Sequence, residues 1–162
     1  MSNTELSHQG STLQTMRAIG LSQPDEQIRL QDVEVDIPEC ADNELLVKLE
    51  YVGLNPADAY FAKTGFCKWQ FPHILGLDAV GVVVKANKGV FPGVGERVMW
   101  HANIGKQGVL SEYTTVPNFA VSVVPDGLCP AKAATLPCAG MAALISLDKI
   151  AITEGDQILI EG

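Results

Sequence analysis

The sequence predicts a mainly β fold with a few short helices, on three observations. Short apolar and β-branched runs recur between Gly, Pro and Asn residues, as in an antiparallel sandwich or barrel. An Ala-rich stretch over residues 130–150 then turns the pattern helical, and residues 157–161, QILIE, return to an apolar strand. A chain of 162 residues suits one well-buried domain. Its 47% hydrophobic and 19% charged residues are those of a globular chain.

The elements follow in order. Residues 1–15, MSNTELSHQGSTLQT, are polar and read as a disordered leader or an added extension, with Met16 a possible natural start. Residues 16–21 suit a strand, and Pro24-Asp25 a turn. Residues 28–35, IRLQDVEV, partly alternate like a half-exposed strand. After Pro38, residues 44–52, ELLVKLEYV, form the first strong strand. Pro56 opens a short helix that Gly65 closes. Residues 78–85, DAVGVVVK, are β-branched but broken by Gly81, which marks a bend or a close backbone approach. A turn around residues 93–96 feeds a strand from Arg97. Two more strands lie within residues 109–124, split at Pro117-Asn118. Two helices separated at Pro137 then lead to a turn at residues 153–156 and the final strand.

Charge and length exclude several functions. The formal net charge is −8 with no Lys/Arg cluster, so nucleic acid and anionic membrane surfaces are poor partners. No apolar run is long enough to span a bilayer, and no hydrophobic export signal stands at the N-terminus. Cys40, Cys67, Cys129 and Cys138 share no CxxC spacing, which favours four reduced thiols and a cytoplasmic protein.

Six segments carry a more specific signal: GLNPADAYFAKTG (53–65), LGLDAVGVV (75–83), GVGERV (93–98), LSEYTTV (110–116), LPCAGMAA (136–143) and EGDQILIEG (154–162). As an ordered set they resemble the medium-chain dehydrogenase/reductase superfamily, from about Met16 to the last residue. The branch most resembled is the zinc-independent quinone oxidoreductases and related enone reductases. The resemblance implies a GroES-like, partly open β-barrel catalytic domain over residues 16–150. It implies that residues 151–162 begin a Rossmann domain whose remainder is missing from the chain. It further implies NADPH or NADH in the cleft between the two domains, with Gly140 beside the cofactor and Gly162 as the first glycine of its loop. The full-length protein is then expected to be a homo-oligomer acting on a small-molecule substrate.

Zinc-using relatives hold a catalytic ion with three protein ligands and an open position. Where they carry the first Cys, this chain has Asn55; where they carry a His-Glu pair, it has Leu77-Asp78. Only Cys138 matches a ligand position, and one ligand cannot hold the ion, so no zinc is expected. The loop of four cysteines for structural zinc is also absent, since residues 99–112 contain no Cys. For Cys138 the expectation is a small buried residue.

Without a Lewis acid the chemistry shifts. Alcohol oxidation needs strong alkoxide stabilisation. A quinone or α,β-unsaturated carbonyl is already electrophilic, and a few hydrogen-bond donors can support the charge that hydride leaves on it. The resemblance places Asn55 and Tyr60 beside nicotinamide and substrate as candidate catalytic residues, with Asn55 also contacting the cofactor. Asn55 has a second reading as a turn former or helix cap, and Tyr60 equally suits anchoring the helix with its ring. Asp58 reads as structural, in an ion pair or a first-turn contact. Trp69 and His101 are candidate substrate-pocket residues, although the aromatic stretch over residues 66–73 equally suits a loop packed on its own barrel. Cys67 and Ala142 stand where relatives often carry Tyr and Thr, which removes two hydroxyls from the implied pocket. A stand-alone GroES-like binding module or inactive remnant is the alternative function, and a zinc-type alcohol dehydrogenase relative is a third reading that Asn55 and Leu77 count against.

Overall fold

The computed structural model describes residues 14–66 and 69–161. Two antiparallel sheets form the molecule. The smaller holds β1 (Thr15–Leu21) between β2 (Leu30–Asp36) and β4 (His73–Ile74). The larger runs in the order β7 (Tyr113–Pro117), β3 (Glu44–Gly53), β5 (Asp78–Ala86), β6 (Arg97–His101) and β8 (Ser122–Val123). The stretch ahead of β7 ties the sheets together: the Ile19 N–H donates to the Leu110 carbonyl, and the Leu49 N–H to the Glu112 carbonyl. The result is mainly β and does not close into a barrel, in keeping with the partly open form expected.

The strong strands fall where β-branched runs put them. β5 is central and covered on both faces, so residues 78–81 are all buried rather than alternating. One face packs Ala79 and Val83 with Leu45, Val47, Val98 and Trp100. The other places Val80 against Val124, Ala133 and Ala134. Gly81 is the close approach its place in the strand foretells, since a Cβ there would collide with the Lys48 carbonyl. The pairing of β3 with β5 shifts register nearby, between Leu49 and Tyr51.

Three α-helices and one 3-10 turn (Asn118–Ala120) complete the described chain, the α-helices being α1 (Pro56–Thr64), the single turn α2 (Pro130–Ala133) and α3 (Pro137–Asp148). Pro stands at the start of each, where its missing N–H costs nothing. Ala62 of α1 packs with Leu21 and Leu75 in a third apolar cluster. None of the described helices is long and apolar enough to cross a membrane.

Two expectations need correcting. Residues 157–161 form no strand, and Ile158, Leu159 and Ile160 are exposed. An apolar run becomes a strand only when an edge offers it backbone partners, and no described strand pairs with it. The aromatic stretch ending at His73 is also more than a loop, because His73-Ile74 adds β4 to the edge of β1. Of the expected leader, residues 1–13 lie outside the described residues, as does Cys67, while Thr15 already pairs with Asp36.

Candidate active site

Three neighbouring strands end at one edge of the larger sheet. Gly53 at the end of β3 is paired with Asp78 at the start of β5, which is paired with His101 at the end of β6. Asp78 is fully buried. Burying a carboxylate is costly unless donors surround it, and here they come from three segments. His101 Nδ1 lies 2.6 Å from Asp78 Oδ1. Asn55 Nδ2 and the Cys138 backbone N–H both donate to Oδ2 at 3.0 Å. The last donor is one of the orphan N–H groups in the first turn of α3.

Asn55 precedes α1 and holds it in place. Its backbone N–H donates to the Asp58 carboxylate at 2.7 Å, the first-turn contact expected of Asp58. Asp58 is itself buried, and its other oxygen has no hydrogen-bond partner among the described residues. Burial pushes its carboxyl above the usual range; the nearby Asp78 acts the same way, while the Asn55 N–H and His101 oppose it. The Cys138 thiol is also pushed up, first by burial and then by Asp78 and Asp58. The cluster thus holds two buried carboxylates, a partly exposed imidazole and a half-buried thiol. Cys138 is less buried than its sequence position suggests because it stands in the first turn of the exposed helix α3.

The other candidate residues lie differently. Tyr60 is 61% exposed on α1 with its ring edge-on to Phe61. Trp69 donates from Nε1 to the Ile104 carbonyl at 2.7 Å, stacks on His73 and packs beside the Leu21–Ala62–Leu75 cluster. Gly140 lies on α3 two residues beyond Cys138. Gly162 lies outside the described residues. Asn55 and His101 are therefore brought together, and Asp78 joins them. Sequence reasoning gave Asp78 no role beyond an inadequate zinc ligand. Cavities of about 300 Å³ elsewhere, such as the one lined by Arg17, Glu50 and Ser111, do not reach this cluster.

Zinc is the ion this fold raises. The ligand atoms of Asp78, His101 and Cys138 lie within 4.8 Å of one another, so His101 joins the Cys138 position that the sequence singled out. As arranged, however, the three do not fit zinc. Donors sharing one tetrahedral zinc at about 2.0–2.1 Å stand roughly 3.3 Å apart, whereas Oδ1 and Nδ1 are separated by 2.6 Å, a hydrogen-bond distance. Asp78 Oδ2 is taken by two N–H donors, and Asn55 presents its non-ligating NH₂ end.

Two antiparallel sheets with helices docked at a polar strand end make this a mainly β domain with one buried polar cluster. Residues 41–126 match the alcohol dehydrogenase GroES-like domain, and the chain belongs to that family. It is 32% identical over 136 residues to the zinc-type alcohol dehydrogenase-like protein of Staphylococcus epidermidis, covering 82% of this chain and 40% of that protein. The quinone oxidoreductase of Coxiella burnetii superposes with a TM-score of 0.79 at 26% identity, over 88% of this chain and 47% of the other. A mycobacterial protein solved in complex with NADPH superposes with a TM-score of 0.73 at 27% identity, covering 83% of this chain and 40% of that one. The chain thus spans less than half the length of each of these relatives.

Proposed function

We propose that this chain is the substrate-side catalytic domain of an NAD(P)H-dependent oxidoreductase that reduces quinones or α,β-unsaturated carbonyls without zinc. The observation that carries the reading is the ring of donors on Asp78. His101, Asn55 and the Cys138 amide direct hydrogen bonds at both carboxylate oxygens, at the place where the resemblance puts the metal ligands of zinc-type relatives. With these groups committed to hydrogen bonds around Asp78, the site is ill suited to holding the Lewis acid that ionising an alcohol calls for, whereas an already electrophilic carbonyl needs only a few donors.

Asn55 and Tyr60 would contact nicotinamide and substrate, His101 and Trp69 the substrate, and Gly140 and Gly162 the cofactor. Leu144 and Ile145 of α3 are exposed, as are Leu159 and Ile160 beyond it. Such a surface suits burial against the nucleotide-binding domain that residues 151–162 would begin. The complete protein is read as a cytoplasmic homo-oligomer.

The test is an assay of the protein carrying both domains, with NADPH or NADH, against a panel of quinones, enones and simple alcohols. Turnover with quinones or enones and none with alcohols is expected, and the 162-residue chain alone should turn over negligible NAD(P)H. Loss of rate in Asn55→Ala and Tyr60→Phe would support the site, whereas unchanged rates in both would overturn it. Alcohol oxidation that chelators abolish would overturn the zinc-free reading.

A further inference from the structure

Reducing an enone takes a proton as well as a hydride, and a side chain held at the site can deliver that proton faster than solvent does. Resting on the function proposed above, we propose that His101 is the proton donor and that Asp78 is its positioning residue.

The geometry points to a held imidazole. His101 and Asp78 are direct cross-strand partners, with Nδ1 2.6 Å from Oδ1. Asp78 cannot turn away, because Asn55 Nδ2 and the Cys138 N–H grip its other oxygen from separate segments. Since both carboxylate oxygens accept, Nδ1 carries the hydrogen of this contact, which fixes the ring's orientation and tautomer. Nε2 is left over, with no hydrogen-bond partner among the described residues, on a side chain that is 33% exposed. A buried carboxylate behind one imidazole nitrogen and an open face at the other is the arrangement of a general acid–base pair. The titratable groups facing the ring are Asp78 from β5, Asp58 from α1 and Cys138 from α3. Tyr60, the other candidate donor, makes no side-chain hydrogen bond among the described residues and is 61% exposed.

The step balances. The β-carbon of the enone accepts hydride from the nicotinamide coenzyme, and the C=C pair moves to form an enolate. His101 in its cationic form gives the Nε2 proton to that enolate, while the Nδ1–H stays with Asp78. The substrate gains one hydride, which carries both electrons, and one proton. The coenzyme is oxidised, and the imidazole recovers its proton from water.

The test compares His101→Asn with His101→Ala in the protein carrying both domains. Asn keeps an N–H at the Nδ1 position for Asp78 and removes Nε2, so the fold is preserved while the donor is lost. Both variants are expected to lose about 10²-fold or more in kcat with KM little changed, and exogenous imidazole should restore part of the rate in His101→Ala. Imidazole ¹⁵N spectra of the wild type should show Nδ1 of His101 carrying its hydrogen in both charge forms of the ring, with Nε2 the nitrogen that gains and loses the proton, and Asp78→Asn should disturb this. Full activity in His101→Asn, or no imidazole rescue in His101→Ala, overturns the donor role while leaving the reductase reading intact. A wild type inactive towards every quinone and enone overturns both, and a retained Nδ1–H tautomer would then mark a purely structural pair.

Discussion

The Ala134 carbonyl oxygen occupies the space where a Cβ on Gly53 would stand. β3 therefore ends in glycine because α2 docks there, and that docking brings the start of α3 to Asp78. Gly53→Ala would push backbone against backbone, which no rotamer change relieves. A loss of about 2–3 kcal/mol is expected by urea or thermal unfolding, with the Asn55–Asp78–Cys138 contacts disturbed first. A variant as stable as the wild type would mean that α2 sits elsewhere.

The cysteines should differ in reactivity. Cys129 is exposed, and the backbone N–H groups of Lys132 and Ala131 pull its thiol below the usual range. Cys138 is pushed the other way by burial and two carboxylates. Timed alkylation with iodoacetamide, read by mass spectrometry, should modify Cys129 well before Cys138. Equal rates would count against the carboxylate-rich environment assigned to Cys138.

His73 is 3% exposed and stacks on Trp69 with ring centroids 3.8 Å apart. Burial lowers its imidazole from 6.5 to about 4. The unfolded chain consequently binds an extra proton between those values. The contribution of neutral His73 is complete above pH 6.5 and is lost as pH falls towards 4, at up to about 1.4 kcal/mol per pH unit. His73→Phe keeps the stack and should flatten the fall in Tm between pH 7 and 5. An identical acid slope in the variant would put the sensitivity elsewhere.

Metal titration addresses the Asp78 cluster directly. The protein should bind no stoichiometric Co²⁺ with a thiolate charge-transfer band, and elemental analysis after dialysis should find far less than one zinc per chain. A bound ion that shields Cys138 from alkylation would require the hydrogen-bond ring to open and would reverse the zinc-free reading.

Much of the fold is legible because burial writes itself into residue type. The β-branched run of β5 and the Pro–Gly bounds of α1 place those elements by composition alone. Residues 157–161 mislead for the same reason: their composition fits a buried strand, but pairing is a property of the neighbour. β4 escapes because two residues carry no period. The site divides similarly. Asn55 is readable from its segment, whereas the Asp78–His101 pair depends on register. Counting outward from the turn at residues 93–96, Arg97 meets Val82 and His101 meets Asp78. That count was the available signal. The Cys138 contact could not be found this way, because its donor is a backbone amide that residue type does not encode.

That amide also reports on the whole arrangement. Most of α3 is exposed, and the early N–H groups of such a helix normally trade their hydrogens with water quickly. The Cys138 N–H is instead tied to a carboxylate buried between β3 and β6. It should persist in deuterium exchange far longer than its neighbours, with a protection factor that follows the opening of the strand ends rather than the fraying of the helix.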